Sequence, residues 1–156
     1  MNRFPLSYED PSLRASCPAE LVRRVLRGSC RILGLKNVEI SVSFVGEQRM
    51  REINKSYRGI DESTDVLSFA SGDADAILPW PETEDGHRVM GDLVIAPDTL
   101  NNNAEYFSIP FTEELCRVLI HGCLHLNGED HATNGPDEPM LKHQEELMNQ
   151  LKGGLF

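Results

Sequence analysis

The residues His121, His125 and His131 have the spacing of a metal-binding group. His121 and His125 are four residues apart, so on a helix both imidazoles project from one face, one turn apart. Gly128 follows where this helix can end, because a glycine in the left-handed conformation commonly terminates a helix. The chain can then turn back and bring His131 to the same point. Three imidazoles around one ion leave a tetrahedral zinc site with one position open for water, which is an arrangement suited to hydrolysis.

The same histidine spacing, with glycine at the eighth place, occurs in the metzincin zinc proteases. Those proteases carry a glutamate directly after the first histidine as general base, and here that position is Gly122. The spacing therefore predicts metal binding without the usual base for peptide hydrolysis. The alternative is a set of ordinary surface histidines near a helix end. A closed structural zinc site would need a fourth ligand, and Cys123, about 200° around the helix from His121, cannot supply it.

The composition is that of one globular domain, which we place over residues 1–156. The chain has 156 residues, of which 40% are apolar. No apolar run approaches the roughly eighteen residues of a membrane span. Residues 1–15 lack the apolar segment of a signal peptide and include Glu9 and Asp10. The cysteines form no Cys-x-x-Cys pair, so we expect buried, reduced thiols and a cytoplasmic protein.

The net charge of −10 by itself argues against nucleic-acid binding, but the charge is unevenly distributed. Residues 1–60 hold 11 basic and 6 acidic residues, a net of +5, whereas residues 61–156 hold 4 and 19, a net of −15. A local basic surface can therefore coexist with an acidic body. Four arginines on one face of the first predicted helix are either solvated or in contact with phosphate. They are Arg23, Arg24, Arg27 and Arg31.

Hydrophobic periodicity predicts five helices, over residues 19–33, 47–57, 98–107, 112–126 and 139–151. Strands are predicted over residues 38–44, 66–70 and 92–96, and residues 72–89 favour a mobile surface loop. Thr112 is the expected N-cap of the fourth helix. This order indicates an α+β fold in which about five helices pack on one small mixed sheet. The fourth helix is apolar around most of its circumference, so we expect it to be buried with the zinc site on it and on the following turn.

A second polar stretch precedes the strand at residues 66–70. It contains Arg58, whose guanidinium offers planar, bidentate donors for phosphate and does not lose its charge. The alternative is a surface arginine paired with Asp61 or Asp65. Spacing alone leaves both interpretations open.

Together the two stretches resemble the YbeY family of bacterial ribosomal-RNA maturation factors. The matching elements follow the family's order and approximate spacing over residues 38–148. They are Asn54, Tyr57-Arg58, the Thr-Asp-Val-Leu-Ser-Phe run at residues 64–69, Gly91-Asp92, and the histidine string from His121 to His131. Ser63 and Ala70 stand where the family usually has proline, Asn127 where it commonly has an apolar residue, and Glu129 where it commonly has an aromatic one.

The resemblance implies a zinc-dependent, single-strand-specific endoribonuclease acting in 16S rRNA 3′-end maturation and ribosome quality control. It implies one zinc ion held by His121, His125 and His131, and Arg58 as an arginine needed for activity. The implied partners are single-stranded RNA, the ribosomal RNA precursor and the small ribosomal subunit, with no membrane.

Several chemical roles stay open at this point. Asp65, Asp92 and Glu129 are all candidates for the general base, and Asp130 is a candidate for orienting a neighbouring imidazole. Glu129 would also place a negative charge where a phosphate approaches. The competing functions are a zinc-dependent protease-like hydrolase and a non-catalytic, zinc-stabilised module that binds the ribosome.

Overall fold

The computed structural model describes residues 1–71 and 86–155. Four strands form one mixed sheet: β1 (Leu6–Tyr8), β2 (Val38–Phe44), β3 (Val66–Ala70) and β4 (Arg88–Ile95). Their order is β1-β2-β4-β3, in which the first three are parallel and β3 runs antiparallel to β4. The strand β3 is therefore an edge strand of this sheet.

Six helices accompany the four strands in the described part of the chain. They are α1 (Leu13–Ser16), α2 (Ala19–Ile32), α3 (Glu47–Arg58), α4 (Pro97–Tyr106), α5 (Phe111–Leu126) and α6 (Pro139–Leu155). None of these helices combines the length and the apolar character needed to cross a bilayer.

The two faces of the sheet carry cores of unequal size. Alternate residues of β2 are buried, as the period of two predicts for a strand with one covered face. The larger core lies between this face and the helices α2, α5 and α6. On the opposite face, Met50 of α3 packs with Leu67, Val45 and Ala96 in a smaller cluster. The fold is thus the predicted α+β domain.

Helix α5 is central because it contacts the sheet, α2, α4 and α6. Its close approach to β4 depends on Gly122, where an added Cβ would lie 2.6 Å from Cδ2 of Leu93. Leu93 is fully buried, so it has little room to move aside. Position 122, where the metzincin proteases carry a glutamate, therefore faces the sheet. A larger side chain at this position would push α5 away from β4.

Gly91 allows a second close approach, in which β4 lies against Phe69 and Leu126 at the end of the sheet nearest the C-terminus of α5. Its φ is +148°, and an added Cβ would meet the carbonyl oxygen of Phe69 at 2.2 Å and Leu126 at 2.7 Å. The register between β2 and β4 also shifts here, between Glu39 and Ile40. Only glycine fits this irregularity, which explains the glycine of the Gly91-Asp92 pair.

The predicted elements are confirmed, with differences at β1, α1, β4, the N-cap of α5 and the C-terminus of α6, which ends at Leu155 rather than 151. β1 and α1 were not predicted, because three and four residues are too few to show a period. β4 begins at Arg88 rather than 92, since Gly91 interrupts the strand pattern, so residues 88–89 do not belong to a loop. Of the rest of that predicted loop, residues 72–85 lie outside the described residues, and residues 86–87 belong to no helix or strand. Pro110, not Thr112, occupies the N-cap of α5.

The Gly122 packing gives a stability prediction. We expect Gly122→Ala to be destabilising, because overpacking a core costs roughly 1–3 kcal/mol and the gain in helix propensity offsets only about 1 kcal/mol of that. The measurement is the urea midpoint of the purified protein. Gly153→Ala in α6 is the matched control, because an added Cβ there meets nothing within 4 Å. A Gly122→Ala variant as stable as Gly153→Ala would refute the argument.

Candidate metal centre

The three histidines predicted to form a metal site converge in the structure. Their ring centroids are 4.6 Å apart for His121 and His125, 5.2 Å for His121 and His131, and 5.4 Å for His125 and His131. One ligand nitrogen from each ring lies within 4.8 Å of the other two, and all three residues are half-buried. They are therefore not separate surface histidines.

The turn after α5 brings His131 back to the other two rings. Asn127 is the C-cap of α5, and Gly128 follows in a left-handed conformation with φ of +94°. The N–H of Gly128 donates to the carbonyl of His125, and the N–H of Glu129 donates to the carbonyl of Leu124, each at 3.0 Å. This pair of hydrogen bonds is a Schellman motif, which reverses the chain direction at a helix end. The predicted role of Gly128 is confirmed.

Each ring is oriented by a hydrogen bond from its Nδ1 to an oxygen that can only accept. Nδ1 of His121 donates to Oε1 of Gln144 at 2.6 Å. Nδ1 of His125 donates to the Glu129 carbonyl at 3.0 Å, and Nδ1 of His131 donates to the Thr133 carbonyl at 2.8 Å. Because every Nδ1 carries the proton, every Nε2 keeps its lone pair in the neutral imidazole. This is the tautomer that a metal ligand requires.

The Nε2 atoms of His121 and His125 face each other at 3.1 Å. Two lone pairs at that distance repel each other unless a cation lies between them. At a zinc–nitrogen distance of about 2.0–2.1 Å, two tetrahedral ligand nitrogens are about 3.3 Å apart. The donor set and its spacing therefore fit a divalent cation such as zinc.

Burial favours the neutral form of the two helical histidines. The pKa of His121 is lowered chiefly by burial, and the neighbouring His125 and His131 lower it further, against the raising effects of Gln144 and Asp65. The pKa of His125 is also lowered chiefly by burial, and the charge of Arg58 contributes to the lowering. Both rings thus remain unprotonated, and able to coordinate, to a lower pH than an exposed histidine.

Gln144 of α6, which the sequence did not single out, links the histidines to a chain of ion pairs. Its Nε2 donates to Glu145 at 3.0 Å, and Nε of Arg117 in turn contacts Glu145 at 3.0 Å. Arg117 also pairs with Glu114 one turn away on α5. Gln144 is only 8% exposed, although glutamine is usually a surface residue. A glutamine on the apolar face of the predicted last helix was the signal that could have revealed it.

Arg58 lies at the end of α3 and lines the cleft that contains the histidines. The predicted alternative, pairing with Asp61 or Asp65, is wrong. Asp61 instead accepts two hydrogen bonds from Arg51, at 2.8 and 3.2 Å. Within residues 1–71 and 86–155, no hydrogen bond or ion pair engages the Arg58 guanidinium. Its charge is therefore available to a ligand in the cleft.

The three carboxylates considered as bases differ in position. All three line the cleft, and Asp65 is close enough to His121 to raise the pKa of that ring. Asp92 alternates with Leu93, which faces α5, so its side chain lies on the opposite face of the sheet, where it accepts a hydrogen bond from Ser41. The Glu129 carboxylate lies 2.9 Å from Nδ1 of His143. Of the three, Asp65 is the one whose charge acts on His121, and its carboxylate accepts hydrogen bonds from the N–H of Val66 at 2.8 Å and from Nδ2 of Asn103 at 3.4 Å.

Two expectations about the turn need correction. The negative charge of Glu129 is not directed at an approaching phosphate, because both of its carboxylate oxygens contact Nδ1 of His143 on α6. Asp130 does not orient an imidazole by hydrogen bonding, because its Oδ1 is 3.8 Å from Nδ1 of His125. Asp130 instead accepts from the backbone N–H of His131 at 2.8 Å. The Glu129 carbonyl has the orienting role.

Two family-pattern positions have structural roles. Asn54 is 3% exposed and donates from Nδ2 to the carbonyl of Glu62 at 2.9 Å, which fixes the chain between α3 and β3. Ser63, in the place of the usual proline, lies 2.7 Å from the hydroxyl of Thr99 on α4. This hydrogen bond anchors the loop that a proline would otherwise stiffen.

Comparison with known proteins supports a family assignment. A family model described as Endoribonuclease YbeY matches residues 9–152. An endoribonuclease YbeY of Treponema denticola is 47% identical over 151 residues, covering 97% of this chain and 94% of the relative. One from Persephonella marina is 34% identical, with the same coverage of both chains. A solution structure from Thermotoga maritima matches with a TM-score of 0.61 at 26% identity, covering 96% of this chain and 89% of that one.

The hydrogen bond between Gln144 and His121 gives a test of the predicted metal site. We expect Gln144→Ala to weaken zinc binding about 10–100-fold, because the His121 ring loses the acceptor that fixes its tautomer and orientation. The measurement is competition for zinc with a chromophoric chelator. Gln150→Ala, an exposed glutamine on the same helix, is the control. Equal zinc affinity in the two variants would contradict the orienting role of Gln144.

Proposed function

Because the chain belongs to the endoribonuclease YbeY family, we propose that it is a metal-dependent endoribonuclease that cleaves single-stranded RNA. In this proposal His121, His125 and His131 hold one zinc ion through Nε2. The observation that carries the proposal is the convergence of three lone-pair nitrogens in an open cleft, each with its Nδ1 bound to an oxygen.

Zinc bound by three imidazoles supplies a Lewis acid for a phosphoryl oxygen and a water whose pKa is near 7. The protein residues then have three tasks. The histidines position the cation on the buried helix and its following turn. Arg58 stabilises the charge that develops on the phosphate. Asp65 is the carboxylate that would accept a proton from the attacking water, because it lies near His121, whereas Asp92 binds Ser41 on the other face of the sheet and Glu129 binds His143.

The role of Arg58 is supported by the ion pairs that the other two cleft arginines form. Arg49 pairs with Glu52 at 3.4 Å, and Arg117 pairs with Glu114 and Glu145. Arg58 is the cleft arginine without such a partner among the residues that the structure describes. A guanidinium that has no ion-pair partner binds phosphate without first breaking an ion pair.

The proposed substrate is ribosomal RNA precursor, and the proposed process is 3′-end maturation of 16S rRNA together with ribosome quality control. The small ribosomal subunit is the corresponding partner, and the bacterial cytoplasm is the corresponding compartment. Proteolysis is disfavoured because a glutamate at position 122 would project into Leu93 rather than into the cleft.

The experiment that tests the function compares two substrates. Zinc-loaded protein is incubated with single-stranded RNA and with casein, beside a His125→Ala variant purified identically. We expect cleavage of RNA alone, with loss of activity in the variant and on removal of zinc by EDTA. Casein cleavage would favour a protease. RNA cleavage that persists in the His125→Ala sample would identify a contaminant, and a fold that melts with EDTA but cuts nothing would indicate a binding module.

Arg58 gives a separate prediction. We expect Arg58→Ala to lower kcat for RNA cleavage about 10²–10³-fold, the usual cost of removing one group that stabilises transition-state charge. Zinc content should be unchanged, because Arg58 is not a ligand. Arg27→Ala removes the same charge from α2, which does not line the cleft, and should leave kcat unchanged. Loss of zinc in Arg58→Ala would mean that Arg58 has a structural role instead.

A further inference from the structure

We propose that Tyr57, supported by Phe69, forms a subsite that stacks one unpaired base of a nucleic-acid strand next to the histidine cluster. The inference rests on the proposed function and deepens it, because it gives a physical reason for selectivity towards single strands. It assigns a binding role to a residue that the metal chemistry does not use.

The exposure of Tyr57 is the first observation. The side chain is 72% exposed at the end of α3, although an aromatic ring of this size is usually largely buried. Its ring meets the half-buried Phe69 edge-to-face, with centroids 5.2 Å apart and an interplanar angle of 65°. Phe69 therefore supports the ring on one side and leaves the rest open to a flat ligand.

The position of Tyr57 is the second observation. Tyr57, Phe69 and Arg58 line the same cleft as the three histidines. Phe69 pairs with Asp92 in the sheet and so lies on the face opposite α5, which means that the cleft continues around the edge strand β3. A nucleic-acid strand that crosses this edge of the sheet passes from the three histidines to Tyr57.

Arg58 connects these two ends of the cleft. Arg58 lines the cleft together with His125 and His131, and Tyr57 is its immediate neighbour in the chain. A phosphate held by Arg58 and a base stacked on Tyr57 can therefore belong to adjacent groups of one strand. The pair has the chemistry of single-strand recognition, a cation for the backbone and an aromatic ring for the base.

Stacking on Tyr57 requires a base with a free face. In a duplex both faces of an internal base are covered by its neighbours, whereas an unpaired base can leave the stack and lie against a side chain. The subsite therefore rejects duplex without reading sequence, because every base has an aromatic face.

A second tyrosine provides the control. Tyr106 is 82% exposed and also packs edge-to-face against a phenylalanine, Phe107, with centroids 5.0 Å apart. It lies at the end of α4 and does not line the cleft. Tyr57 and Tyr106 thus share exposure and ring geometry and differ in location.

The test measures binding of a short single-stranded RNA that contains 2-aminopurine, whose fluorescence falls when the base stacks. Binding is measured in a His125→Ala background, in which cleavage is prevented. We expect Tyr57→Ala to weaken binding about tenfold or more and to remove the fluorescence decrease. Tyr57→Trp should retain both, and Tyr106→Ala should behave as the parent. Circular dichroism checks that each variant is folded.

The outcomes separate this inference from the proposed function. Equal binding by Tyr57→Ala and its parent, an equal loss in Tyr106→Ala, or no binding by any variant overturns the subsite. If wild-type protein cleaves RNA while Tyr57→Ala binds normally, the nuclease function stands and the subsite is wrong. If binding depends on Tyr57 but zinc-loaded wild-type protein cuts no RNA, the subsite stands and the nuclease function is wrong.

Discussion

The close packing of α5 against β4 is the constraint on which the rest of the structure depends. Gly122 allows the helix to approach Leu93, and the side chains on the buried face of α5 are fixed by that contact. The opposite face carries a polar stripe of Glu114, Arg117, His121 and His125, all half-buried along the cleft. The same helix is therefore both the centre of the core and the wall of the site, so its position in the core determines where the ligand nitrogens lie.

The cleft belongs to a chain whose overall charge is strongly negative. The chain carries a net charge of −10, and most of the acidic excess lies in residues 61–156, which also contain the three histidines. Two of the cleft arginines are neutralised by glutamates, and Glu129 is paired with His143. Among the described residues, Arg58 is therefore the cleft arginine whose charge remains for a polyanion, in the absence of a broad basic surface.

The sequence predicted the features that depend on local pattern. The convergence of the histidines followed from helical spacing and from the glycine after the helix, and the core strands followed from their period of two. The partners of the site could not be predicted, because they come from distant segments. Gln144 reaches His121 from α6, and Arg51 takes Asp61 away from Arg58, although spacing made Asp61 look like the partner of Arg58. The parallel pairing of the short β1 with β2 is also non-local, and nothing in three residues indicates it.

The location of Gln144 ties the histidines to the packing of the last helix. Its neighbours Met140, Leu147 and Met148 on α6 are buried in the larger core, so the apolar contacts that hold the helix also hold the amide that orients His121. A core substitution that shifts α6 would move the acceptor for Nδ1 of His121 without touching any of the three histidines. Changes in core packing can therefore reach the ligand set through a single side chain.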